Sequence, residues 1–207
     1  VMPYHKLEDE LRETRLSQFF SQNSEPGAMS GSLGTTKRGI GPAYADKAQR
    51  GTAIRVGDLI RPEVLRQKIR VACALKNPML RGLGAPGDLD PDGLYAAAVD
   101  LGRKIEPCVR DTTYLLHDLR AAGRKILFEG ANAALLDVDH GTYPFVTSSS
   151  CTALGIPAGT GVPGPALGEV IGVVKAYSTR VGNGPLLTEL FDGVGESIRQ
   201  RGREFGT

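Results

Sequence analysis

Apolar positions recur at helical spacing over residues 5–20. Leu7, Leu11, Leu16 and Phe19 fall near one face there, and Glu8 and Arg12 stand one turn apart. The pattern predicts a first helix. Residues 21–32 (SQNSEPGAMSGS) are small, polar and turn-rich and read as a flexible loop. Helical periodicity returns over 62–75, with Pro62 suited to a first turn, and residues 77–91 read as a loop. It returns again over 94–122, where Pro107 predicts a kink or a break and Gly123 a stop. Two runs have the density of buried strands, 125–129 (KILFE) and 169–178 (EVIGVVKAYS). A last amphipathic helix is expected over 191–203. Helix, glycine, apolar strand, glycine is the grammar of a parallel unit. The expected class is therefore α/β, a mostly parallel sheet flanked by helices, with the sheet incomplete.

Composition narrows the function more than the fold. The 207 residues are 41% hydrophobic and 23% charged, with a formal net charge of +2. That balance argues against disorder and against a strongly basic nucleic-acid binder. No apolar stretch reaches the ~20 residues of a membrane span, and no nucleic-acid or membrane partner is expected. The 27 glycines follow no repeat and suggest tight turns and close approach of backbone to a ligand. Cys73, Cys108 and Cys151 have neither disulfide-framework nor zinc spacing and read as reduced thiols. The abrupt ends, Val1-Met2-Pro3 without a signal peptide and Phe205-Gly206-Thr207, raise the expectation of a piece of a longer protein.

Four segments carry candidate chemistry. In GTTKRGIG (34–41), two threonine hydroxyls, Lys37 and Arg38 are interleaved with three glycines. Exposed amides, hydroxyls and a guanidinium fork suit a phosphate or carboxylate, and the alternative is a basic surface loop. From Gly34 to Arg55 the positive side chains are Lys37, Arg38, Lys47, Arg50 and Arg55, against the single acid Asp46. No P-loop pattern occurs. The segment 128–144 (FEGANAALLDVDHGTYP) follows the carboxyl end of an expected strand, where α/β proteins bind ligands. Its Asn132 amide could read a base edge. Asp137, Asp139 and His140 are open to three readings: a metal cluster, a loop-orienting Asp–His pair, or a triad with the hydroxyls at 147–150. Residues 159–164 (GTGVPG) match a dinucleotide fingerprint only on paper, because prolines flank and interrupt them. In KAYSTRVGNGP (175–185), Arg180 could hold an anion beside pliable glycine backbone. His5 and His117 lie in helical patterns and read as structural or surface histidines.

In order and spacing, GTTKRGIGPAYADK, FEGANAALLDVDHGTYPFVTSSSCTALGI and GVVKAYSTRVGNGPLLTELFD resemble the adenylosuccinate synthetase family, as does VMPYHKLEDELRE at the start. The likeness covers nearly the whole chain and weakens at 17–33, an apparent flexible insertion, and at 77–91. It implies the central part, 1–207, of a larger single-domain α/β synthetase. The implied reaction joins IMP and L-aspartate at the expense of GTP, with Mg2+, in AMP biosynthesis. The O6 atom of IMP attacks the γ-phosphate of GTP, and the aspartate amine then displaces the phosphate. By the same likeness, Thr36 and Thr147 are expected to bind the 5′-phosphate of IMP. Arg50 is expected to reach that phosphate in the neighbouring subunit of a homodimer. Asn132, in the form more like eukaryotic members, is expected beside the base, and Val181 and Gly182 along ribose and base. Arg38 is expected to help the aspartate carboxylate, and Asp139 to support the site's network. No metal ligand is expected among these residues. The family's catalytic aspartate and histidine are expected before Val1, so the 207 residues alone are expected to be inactive. The alternative is a non-catalytic fragment that binds IMP and dimerises. A cytoplasmic location is implied.

Overall fold

A computed structural model of the chain describes residues 1–23 and 32–204. Among the described residues seven helices form: α1 Pro3–Asn23, α2 Ile40–Gln49, α3 Pro62–Leu83, α4 Pro91–Ile105, α5 Thr112–Ala121, α6 Gly155–Thr160 and α7 Gly193–Gly202. Their starts follow local chemistry. Asp90 accepts the amides of Asp92 and Gly93, Asp111 those of Thr113 and Tyr114, and Asp192 those of Val194 and Gly195. Each carboxylate satisfies N–H groups that the first helical turn leaves without a partner.

α3 is the axis of the helical layer, packed on α1 and α4, while α1 also packs on α2. Leu65, Ile69 and Cys73 project from one face of α3 onto Ala98 of α4, and Met2, Ile54, Leu59, Leu94 and Tyr95 close the cluster. α3 runs past the expected end at residue 75 and continues through Pro78 to Leu83, so the loop expected over 77–91 shrinks to 84–90. Leu80 and Lys76 are buried, and Gly84 (φ 97°) caps the end, with the Ala85 amide on the Leu80 carbonyl. Tertiary burial outweighs the hydrogen bond that proline removes. The break at Pro107 is present: a single turn at Glu106–Cys108 separates α4 from α5. α1 extends past its expected end at residue 20 to Asn23, into the segment expected as a flexible loop (21–32), and residues 24–31 lie outside the described part.

The parallel sheet is the principal departure. Among the described residues no strand forms, and 125–129 and 169–178 have no ladder. Leu127, Val170, Ile171, Val173 and Val174 are exposed, Val173 at 92%. Apolar density shows that a segment suits a sheet interior, but a strand exists only when a second segment takes its N–H and C=O groups. These two runs do not supply that partner to each other.

Candidate functional site

Three segments converge at one edge of the helical layer. The loop from Gly34 to Gly39 leads into α2. A turn at 181–184 meets it backbone to backbone: Asn183 donates its amide to Leu33 O (3.2 Å) and its side-chain nitrogen to Ser32 O (2.6 Å). Gly182 (φ 87°) and Gly34 (φ 68°) face each other, and a Cβ on Gly34 would lie 2.8 Å from Gly182 Cα. Only glycine fits this approach. The third segment, residues 142–152, joins through Arg180, whose Nη2 donates to Phe145 O (2.7 Å) and whose Nε donates to Asn183 O (3.2 Å). Gly41 of α2 faces Ser148, whose Oγ lies 3.3 Å from where a Cβ would stand. Arg180 is 9% exposed, and its Nε and Nη2 donate to main-chain carbonyls, so it braces this junction instead of presenting an open fork.

The Gly34–Gly39 loop is held from α1. Glu13 Oε1 accepts the Gly34 amide (2.6 Å), the Ser32 hydroxyl and, at 3.4 Å, the Thr35 amide. Asp9 accepts the Gly39 amide (2.8 Å) and the Thr35 hydroxyl (3.3 Å). Between these anchors, Thr36, Lys37 and Arg38 are exposed, and Lys37 takes φ 54°. Lys37 has only a long contact to Glu10 (3.9 Å), and the Arg38 side chain makes no hydrogen bond or ion pair among the described residues.

Asp137, 1% exposed, organises the second loop. Its carboxylate accepts the amides of Asp139 (2.9 Å), His140 (3.0 Å), Cys151 (2.6 Å) and Thr152 (3.3 Å). These amides, Asp139 and Cys151 foremost, hold its carboxyl below the usual range. Val138 and Thr147 add main-chain bonds to Ser149 O and Leu136 O. The loop-orienting reading therefore holds for Asp137, though through the main chain of His140 rather than its ring. Asp139 is exposed and joins this loop's hydrogen bonds through its amide, while the buried carboxylate of the loop is that of Asp137. Asn132, left-handed at φ 67°, lies against the Cys151 thiol, which burial pushes up.

Arg50 stands apart. It ends α2 at a positive φ (65°), its side chain exposed and without a hydrogen bond or ion pair among the described residues. The ten-residue length of α2, about 15 Å at 1.5 Å per residue, separates it from the loop. The structure thus brings the segments of Thr36, Thr147 and Val181–Gly182 together, sets Asn132 beside the 142–152 loop, and leaves Arg50 at the far end of a helix.

That helix is anchored by buried charge. Asp46 accepts from His5 Nε2 (2.8 Å) and from Lys76 (2.8 Å), and Lys76 also pairs with Glu8 (2.9 Å). His5 Nδ1 accepts the Met2 amide at 2.9 Å, so its partners fit the neutral ring with its proton on Nε2. Burial holds the His5 pKa down against Asp46. Burial raises that of Asp46, but Lys76 and His5 outweigh it and the net shift is downward. Sequence spacing could not reveal a cluster drawn from residues 5, 8, 46 and 76. The Asp137 turn was more accessible, since Asp-x-Asp-His-Gly is the pattern of a side chain accepting its own downstream amides.

A metal does not fit here. Among the described residues no group of three His, Cys, Asp or Glu side chains could hold an ion, and Asp137 already carries four amides. No helix of the described residues is long and apolar enough to cross a membrane. The residues 159–164 close α6 instead of opening a helix, with Gly161 (φ 77°) as its cap, which removes the dinucleotide reading.

An exposed, cationic, glycine-rich loop braced against two further turns defines a candidate anion site in a protein of α/β character. A family model described as adenylosuccinate synthetase matches residues 1–207, and the chain belongs to that family. An adenylosuccinate synthetase of Thermoanaerobacter sp. (strain X514) is 46% identical over 207 residues, 100% of this chain and 46% of that protein. One from Nitratidesulfovibrio vulgaris (strain DP4) is 45% identical over 206 residues, again 100% of this chain and 46% of that protein. The solved, fully ligated adenylosuccinate synthetase from Plasmodium falciparum superposes with a TM-score of 0.85 at 35% identity, over 98% of this chain and 44% of that one. The chain spans a little under half the length of the curated relatives it matches.

Proposed function

We propose that this chain is the central, IMP-holding part of a GTP-dependent enzyme that ligates IMP and L-aspartate to adenylosuccinate. The observation that carries the reading is the convergence of the Gly34–Gly39, 142–152 and 181–184 segments. Thr36 and Thr147 then offer hydroxyls to the 5′-phosphate, and the glycine backbone at Val181–Gly182 lies along ribose and base. Asn132 faces the base with its amide. Arg38, exposed at the loop tip and without a side-chain partner among the described residues, is available to a carboxylate. Arg50, held at the far end of α2, serves the phosphate of a partner subunit in a homodimer. The chemical work of these residues is positioning and charge neutralisation at the nucleotide. GTP binding and Mg2+ belong to the complete fold, and no step is assigned to the metal here. The family likeness also supports reading 125–129 and 169–178 as strands of a parallel sheet whose partner strands other parts of that fold supply. The enzyme acts in the cytoplasm.

The test is calorimetric titration of IMP into the complete enzyme and into the Thr36→Ala and Thr147→Ala variants. The absorbance change on adenylosuccinate formation is followed alongside. Binding with turnover, weakened in both variants, supports the reading. Binding without turnover favours a non-catalytic IMP-binding, dimerising protein. No IMP affinity overturns both.

A further inference from the structure

Arg50 takes a backbone conformation that its residue type rarely adopts, φ 65° with ψ −46°. Such a residue persists only where its surroundings over-determine it. Here they do so from both sides. The Arg50 amide donates to Asp46 O (3.0 Å), and the Arg50 carbonyl accepts the Ala53 amide (3.2 Å). The Ala53 carbonyl in turn accepts from Lys68 Nζ of α3 (3.2 Å). The same ammonium donates to Asp58 Oδ2 (2.6 Å). That carboxylate is 1% exposed and also accepts the Arg55 amide (2.7 Å) and Arg61 Nη2 (2.8 Å). On the other side of Arg50, the Asp46 side chain is held by His5 and by Lys76 of α3. Two lysines about two turns apart on one helix therefore grip the chain before and after Arg50. The Arg50 side chain, by contrast, is exposed and bonds nothing among the described residues, so no local partner of its own accounts for the strained backbone.

Resting on the reading of Arg50 as the group that reaches the IMP phosphate of a partner subunit, we propose that Lys68 and Asp58 are positioning residues for Arg50. Through Ala53 they fix the backbone from which the guanidinium leaves α2, and so its direction toward the neighbour's phosphate. Neither touches the nucleotide, because their charges are spent on each other and on main-chain groups.

The effect must run through Arg50, which separates it from general destabilisation. In the complete protein, Lys68→Met is expected to raise KM for IMP on the order of tenfold, the scale of losing a charge-assisted hydrogen bond. The value of kcat at saturating IMP and KM for GTP should stay unchanged. Lys68→Arg keeps the cation and is expected to restore most of the IMP affinity. Asp58→Asn keeps the shape of its side chain and should follow Lys68→Met in direction. The deciding measurement is a double-mutant cycle: Arg50→Ala raises KM for IMP by itself, and adding Lys68→Met should raise it no further. Losses that multiply would show that Lys68 acts independently of Arg50 and would overturn the proposal, as would an unchanged KM for IMP in both Lys68→Met and Asp58→Asn. A loss that disappears on raising the protein concentration would assign the effect to dissociation of the dimer and overturn it as well. An Arg50→Ala variant with unchanged KM for IMP would remove the reading of Arg50 itself, and the proposal with it.

Discussion

The helical layer, residues 1–122, and the segments after Gly123 obey different rules. Among the described residues, seven of the eight buried apolar residues lie in the first part, and Val162 is the other, in the second. A helix closes its backbone hydrogen bonds within itself and needs a neighbour only for one face, which α1, α3 and α4 give each other. The second part contains the two apolar strand-like runs, and its order comes from polar staples, Asp137 and Arg180, instead of a core. Helices and loops can be complete within a segment of a protein, whereas a strand is complete only in company.

Replacing Lys76 should produce the largest effect in the helical layer. Lys76→Ala leaves Glu8 and Asp46 buried without their cation and is expected to cost about 3–5 kcal/mol in urea unfolding. A loss under ~1 kcal/mol would show that this layer is not held by the buried network. Leu65→Ala, at a fully buried position, should cost about 2–5 kcal/mol by the same measurement.

Acid should act on the helical layer in two stages. His5 has its folded pKa below the ordinary value of about 6.5, so the unfolded chain binds the proton first. The contribution of neutral His5 is thus complete above that value and is lost as pH falls through the depressed folded pKa. Thermal midpoints should decline below pH ~6.5, and His5→Gln should flatten that part of the profile. Asp46 and Asp58 have lowered pKa values although burial alone would raise them, because Lys76 with His5, and Lys68 with the Arg55 amide, outweigh it. Their contribution is present above the ordinary aspartate range and is lost only in stronger acid. An unchanged midpoint from pH 7 to 5 would contradict the neutral, buried assignment of His5.

In the second part, Asp137→Ala should speed amide exchange at Asp139, His140, Cys151 and Thr152, with little change in the helical layer. Equal acceleration in α3 would mean that the two parts unfold as one. The smallest effect is expected at Val173→Ser, which at 92% exposure should change the stability of this chain by under about 0.5 kcal/mol. The same substitution in the complete protein should cost more if 169–178 is a buried strand there, which sharpens the contrast directly.

Much of this was readable from the chain alone, for reasons tied to particular residues. The first helix, the break at Pro107 and the stop at Gly123 (φ 66°) are local events set by periodicity, a missing N–H and a permissive φ. The cationic loop at 34–41 was visible because its residue types are adjacent. Family likeness pointed to Thr36, Thr147, Val181 and Gly182 together, and their segments do converge. The persistence of α3 through Pro78 was not legible, because burial of Leu80 decides it. Nor was the spending of Arg180 on carbonyls, which depends on Phe145, 35 residues away.

The sequence by itself determined the first helix, the break at Pro107, the loop chemistry and the family, since these rest on neighbours in the chain or on long residue strings. Tertiary structure alone decided which acids hold the site. Asp9, Glu13 and Asp46 look like ordinary surface carboxylates until folding presents them with backbone amides or a buried cation. The charge of a side chain is written in the sequence, but whether it is spent or free depends on the groups that surround it in space.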